Sequence, residues 1–217
     1  MKNFDAMADE IRKELSERDE AREKMLPLCR DSIRYSSGAI RAIHRQEFSE
    51  AAKQIKSARQ ALIEAEKAVV KYSELANTGA VRDAQKELAE ANITLALVTG
   101  KEIPRAKELG VDVAAYLNGM GEAVGEIRRY LLDGMRSGNL SRGEELLGKM
   151  DDIYNVLVTM DFPDALTGGL RRTTDMVRGV MEKTRSDLTL TIRQKALEMR
   201  IADINTKESK SRKERGK

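Results

Sequence analysis

Apolar residues recur every three to four positions along almost the whole chain, the period of helices that bury one face against a core. From 4 to about 45 the stripe is unbroken, so this stretch is helical throughout or kinked near Pro27, where an interior proline removes a backbone hydrogen bond. A second long helix is predicted over 48–76, ended by Asn77, Thr78 and Gly79, and a third from 80 to about 98, stopped by Gly100. A connection containing Pro104 leads to Gly110. The fourth helix begins at Asp112, whose side chain can accept from free amides, and reaches about 135 with Tyr116, Met120, Ala123, Ile127, Tyr130 and Leu131 on its core face. Ser137, Gly138 and Asn139 end it. Ser141 and Glu144 have the spacing of a capping box for a fifth helix reaching 158, and after a 163–169 loop a sixth runs from about 170 to near 204. The residues from 205 to 217 include nothing apolar and are expected to form a disordered basic tail. The expected architecture is all-α: a single domain, 1–204, of about six mostly long antiparallel helices, followed by that tail.

Composition narrows the classes. With 217 residues and 41% hydrophobic content the chain can bury a sizeable core, whereas three prolines, no tryptophan and 4% aromatics argue against a β-sandwich or barrel. The single Cys29 excludes an intramolecular disulfide framework and a cysteine zinc site, and reads as a small buried hydrophobe. No apolar run approaches the ~20 residues that a bilayer requires, and no charged-then-apolar leader opens the chain, so a cytoplasmic protein without a membrane span is expected.

The net charge of +3 hides an uneven distribution. Positions 169–217 carry fourteen basic and seven acidic residues, leaving an acidic excess before them. A second basic concentration lies early, where Arg30, Arg34, Arg41 and Arg45 face a single acid, Asp31. Their spacing makes a stripe on one helical face, for which nucleic-acid phosphate is a natural ligand; the plainer alternative is a solvated face of an amphipathic helix. His44, the only histidine, excludes a two-histidine ribonuclease mechanism, and its place beside the stripe fits either phosphate contact or an ordinary helix-surface residue.

Two acidic pairs stand out from the chain's 36 acids. Glu87 with Glu90 and Glu122 with Glu126 each lie one helical turn apart, so two packed helices would converge four carboxylates, the outline of a hard-cation site. The first pair is in line with Ala91, Thr94 and Val98, and the second is flanked by Gly119, Gly121 and Gly125. Each helical glycine costs ~1 kcal/mol relative to alanine, so the cluster points to a backbone or ligand that comes close.

The segment from Tyr116-Leu117-Asn118-Gly119 through Glu122 and Glu126 to Ser137-Gly138-Asn139 resembles the translin/Trax family. So do Leu170-Arg171-Arg172 with Asp175, Leu190 with Ile192-Arg193, and the stretch from Cys29-Arg30-Asp31 to Ile43-His44-Arg45. The resemblance covers nearly the whole chain, in order. Glu87-Leu88-Ala89-Glu90-Ala91 matches the Glu-x-x-Glu-Ala of the catalytic Trax branch, and Glu122 stands where that branch has an aspartate, four residues before the match to Glu126. The glutamate at 122 and the Thr173-Thr174 pair depart from the family pattern.

The resemblance implies a translin-like helical bundle and a metal-dependent endoribonuclease. Magnesium, with manganese as a substitute, would be held by Glu87, Glu90 and Glu122, with Glu126 as fourth ligand or as base for the attacking water. It further implies single-stranded RNA as substrate, single-stranded DNA as a further ligand, 5′-phosphate products, Arg30, Arg34, Arg41, His44 and Arg45 as RNA contacts, and a hollow homo-octameric shell. The alternative it leaves open is a translin-like shell that binds RNA or DNA without cleaving it.

Overall fold

The computed structural model describes residues 2–215, with side-chain surroundings for 4–207. Among these, six long helices, α1 (Lys2–His44), α2 (Phe48–Ala68), α4 (Gly79–Thr99), α6 (Val113–Arg136), α7 (Gly143–Val158) and α9 (Leu170–Arg215), are joined with three single turns, α3 (Ser73–Ala76), α5 (Ala106–Leu109) and α8 (Asp164–Thr167). No strand occurs among the described residues. The all-α expectation holds, and α1 continues as helix through Pro27.

Helices α1 and α2 form an antiparallel hairpin: Arg18 lies over the Tyr72 ring and 3.2 Å from Glu74, while Gly38, further along α1, faces Gln54, nearer the start of α2. The chain reverses between them at Gln46, whose φ of 61° is the one left-handed non-glycine conformation among the described residues. The second helix is shorter than predicted. It closes at Ala68, where Val69 and Val70 donate to carbonyls three residues back, and 73–76 forms a separate turn.

Helix α4 ends at Gly100, whose φ of 68° lets Lys101 N donate back to Ala96 O, a Schellman closure. Asp112 caps α6 by accepting from Ala114 N and Ala115 N, as its position predicts. The expected Ser141 cap does not form. Ser141 donates to Asn139 Oδ1, and α7 begins after Arg142, which pairs with Glu145 and spans to the carbonyls of Leu97 and Val98 at the end of α4. That arginine, in place of a local serine cap, ties the α7 start to the end of α4.

Helix α7 runs antiparallel to α9, with Gly143 against Leu188, Asp151 bidentate to Arg185 and Asp161 3.9 Å from Arg171. The core these helices enclose is built from small and branched side chains, Ala84, Leu88, Ala89, Ile93, Ala123, Val124 and Ile127 among those fully buried. Alanine-rich faces on α4 and α6 bring their backbones close, and that closeness sets the site described next. Helix α9 continues to Arg215 instead of ending near Ile204. No described helix is long and apolar enough to cross a membrane.

Candidate metal centre and its surroundings

Helices α4 and α6 approach most closely at Gly119. A Cβ at Gly119 would lie 2.5 Å from Lys86 O and 3.1 Å from Glu90 N, so only glycine fits. Gly121 performs the same service against Thr173 and Val177 of α9, whereas Gly125 faces open space and its expected close neighbour is not there. The register of this crossing brings Glu87 and Glu90 of α4 together with Glu122 of α6, one oxygen of each lying within 4.8 Å of the others.

The three carboxylates differ in setting. Glu90 is 8% exposed, and burial, reinforced by the negative charges of Glu87, Glu122 and Glu126, pushes its pKa up to about 8. Glu87 is half-buried and is also raised, first by burial and then by Glu122. Among the described residues Lys86 is the one cation paired with the cluster, its Nζ donating to Glu122 Oε1 at 2.8 Å. With one ammonium among three converging carboxylates, the remaining charge is relieved by the proton that Glu90 holds, which a divalent cation could replace. The donor set is all oxygen, with neither thiolate nor imidazole, which fits magnesium or manganese and not a soft metal.

Glu126, the fourth expected ligand, lies outside this triad. Its Oε2 is 2.5 Å from Nε2 of His44, whose side chain is 6% exposed and whose Nδ1 is buried without a partner. His44 therefore leaves the arginine stripe: it is the last residue of α1 and turns toward α6, while Arg34, Arg41 and Arg45 share a separate groove. This groove, about 380 Å³ between α1 and α2, is also lined by Tyr35, Gly38, Glu50 and Gln54. Within or beside it, Arg34 pairs with Asp31 and lies 4.6 Å from the Tyr35 ring centroid, and Arg45 pairs with Glu47. Arg30 is exposed and outside the groove.

A larger cavity, about 1140 Å³, opens beside the carboxylates between the starts of α4, α6 and α9 and the α8 turn. Lys86 and Glu122 belong both to this cavity and to the carboxylate cluster. Sequence reasoning missed Lys86 because a lysine adjoining an acidic pair on a helix reads as a solvated counter-charge; only the α4–α6 crossing shows that it reaches the third carboxylate. It also missed the His44–Glu126 contact, which joins residues 82 apart.

No family sequence model matches the chain. A protein of Methanocaldococcus jannaschii described as uncharacterized is 30% identical over 179 residues, spanning 80% of this chain and 78% of that one. Two solved structures of AfC3PO, one in complex with duplex RNA, are each 35% identical with a TM-score of 0.79; both cover 87% of this chain, and 97% and 98% of those chains. The structure of apo-NeC3PO, at 21% identity and a TM-score of 0.76 over 85% of this chain and 96% of that one, shares the fold. With the helical order and the Glu-x-x-Glu and Gly-Glu elements placed as described, the chain belongs to the translin/Trax family, to which the C3PO proteins also belong.

Proposed function

We propose that this protein is a metal-dependent endoribonuclease that binds single-stranded RNA and cleaves it at the Glu87, Glu90, Glu122 triad. The observation that carries the reading is the convergence of three carboxylates, one of them almost fully buried, on two helices packed backbone to backbone. Without a cation such a cluster is relieved by a proton on Glu90 and by Lys86 on Glu122, and it has the oxygen donors that magnesium or manganese takes in their place. A cation held there would polarise a phosphoryl oxygen and supply an acidified water. The chain's own residues do the rest. Glu126, held by His44 beside the triad, would accept the proton of the attacking water; the new bond to phosphorus replaces the bond to the 3′-oxygen, which takes up a proton and leaves as the 3′-hydroxyl, so the other fragment keeps a 5′-phosphate. Arg34, Arg41 and Arg45 hold backbone phosphates in the α1–α2 groove, with Arg30 exposed beyond it. That AfC3PO has been solved with duplex RNA supports nucleic acid as the ligand class.

One observation favours the alternative, a shell that binds single-stranded RNA or DNA without chemistry: an ammonium already sits on one of the three carboxylates. Purified protein incubated with end-labelled single-stranded RNA decides between the two. Cleavage to 5′-phosphate products in magnesium or manganese, and none in chelator, is the expected result. Intact RNA in both, or equal cleavage in chelator, overturns the nuclease.

Replacing Arg41 and Arg45 together by alanine should weaken RNA binding. It should also flatten the slope of log affinity against log salt, by roughly 0.7 for each phosphate of the single strand that is no longer neutralised. A slope equal to wild type would place the strand elsewhere.

The assembly we propose is a homo-oligomer, most simply an octamer enclosing the RNA. Its support is apolar surface without a covering element: Phe4, Met7, Ile11 and Leu15 form an exposed stripe on α1, and Leu190, Leu197, Ile201 and Ile204 form another on α9. We further propose that 205–217 is dispensable, since it has no apolar residue to bury. A chain truncated after Ile204 should keep the mass of the full-length oligomer by light scattering and still cleave RNA. A monomer that cleaves RNA would remove the shell from the account.

A further inference from the structure

Lys86 stands at the boundary between the carboxylate triad and the 1140 Å³ cavity. Its neighbour Glu87 is one of the triad, yet its own Nζ crosses to α6 and donates to Glu122 Oε1. On the cavity side, Lys86 shares the lining with Arg82, Arg171 and Arg172. Neither Arg82 nor Arg172 forms an ion pair with any described residue, while Arg171 lies 3.9 Å from Asp161; of the cavity's aspartates, Asp112 caps α6, Asp175 lies 3.6 Å from Arg178, and Asp83 and Asp164 also line the space. The half-buried ammonium thus has a carboxylate on one side and, on the other, an open space in which Arg82 and Arg172 offer positive charge free of ion pairs beside the acids Asp83 and Asp164.

An ammonium and a divalent cation on the same carboxylate repel strongly at these separations. The lysine stem has four rotatable carbons, so the ammonium can leave Glu122 without moving the helix. We propose that Lys86 exchanges partners. Without a divalent cation it neutralises Glu122; when a cation occupies the triad it turns into the cavity and binds a phosphate of the RNA strand flanking the scissile bond, with Arg82 and Arg172 along the same path. This rests on the triad being a cation site, as in the preceding subsection, and extends it by giving the strand a second track distinct from the α1–α2 groove. It also makes RNA and cation binding mutually reinforcing, because each takes Lys86 away from the state that excludes the other.

The test uses Lys86→Met, which keeps the stem and removes the charge, and Lys86→Arg, which keeps the charge. Titration of Mn²⁺ followed by electron paramagnetic resonance, without RNA, should show Lys86→Met binding the ion about tenfold more tightly than wild type, since a competing positive charge is gone. A fluorescein-labelled oligouridine measured in chelator and in Ca²⁺ should then bind wild type more tightly when the cation is present. Lys86→Met should match wild type in chelator and lose most of that gain, and Lys86→Arg should retain it. Unchanged or weaker Mn²⁺ binding by Lys86→Met, or an undiminished cation-dependent gain in RNA affinity, overturns the exchange. Neither measurement needs cleavage: if both come out as expected and RNA stays intact in magnesium, the exchange stands and the nuclease reading falls.

Discussion

Glu90→Gln and Glu122→Gln should each reduce magnesium-dependent RNA cleavage by at least about 100-fold, the scale of losing a group that acts on the transition state, while RNA affinity stays at or above wild type. The amide keeps the side chain's size and removes a ligand charge, so the loss separates chemistry from binding. Full activity in both variants would sink the catalytic assignment. Glu90→Gln carries a second signature in chelator. The folded chain holds the Glu90 proton up to about pH 8, whereas an unperturbed glutamate releases it near 4.5. The folded state therefore binds more protons than the unfolded state between those values, and wild type should lose stability as pH rises through them. The glutamine cannot ionise and lacks this slope. At pH 8 the variant should be more stable by on the order of 2 kcal/mol, a rise in Tm of roughly 4–8 °C for a chain of this size. Parallel Tm curves for the two proteins from pH 5 to 8 would show that Glu90 is not held protonated by its surroundings.

The second large effect belongs to Gly119. A methyl group there meets the backbone of Lys86 and Glu90, which cannot rotate aside, so Gly119→Ala must push α4 and α6 apart. Overpacking of this kind costs about 1–3 kcal/mol, more than the ~1 kcal/mol that alanine recovers in helix propensity. Separating the helices also spreads the triad. The variant should melt several degrees lower and lose the extra stability that Mn²⁺ gives wild type. Gly125→Ala, with open space at its Cβ, supplies the control: it should be neutral or more stable. Equal behaviour of the two alanines in thermal melts would show that the close crossing does not hold the site together.

These contrasts mark what can be read from the chain. The long helices are legible because apolar residues recur at helical spacing, and Asp112 and Gly100 act locally, so their roles at helix ends follow from the residue types alone. Glu87, Glu90 and Glu122 are legible as candidates because a helix fixes which acids share a face, and a resemblance to a known family chooses among them. The division of the four acids into a triad and a separate Glu126 is not, because it depends on His44 swinging from α1 onto α6. The arginine stripe predicts one face for Arg34, Arg41 and Arg45, and they do share a groove; His44, three residues from Arg41 and so expected beside it, instead turns at the end of α1 to meet Glu126 of α6. The end of α2 is hidden because hydrophobic periodicity persists through 69–76 although the backbone turns there. Lys86 needs the crossing itself, a contact between residues 36 apart that no local pattern encodes.

The central claim, that Glu87, Glu90 and Glu122 together hold a divalent cation, is tested most directly by counting Mn²⁺ bound per chain by electron paramagnetic resonance in wild type and in the three single glutamate-to-glutamine variants. Wild type is predicted to bind the ion saturably, and each variant to lose that binding or weaken it at least tenfold, the loss of one charged ligand being on the order of 1.4 kcal/mol or more. Saturable binding of the same strength in all four proteins would contradict the account.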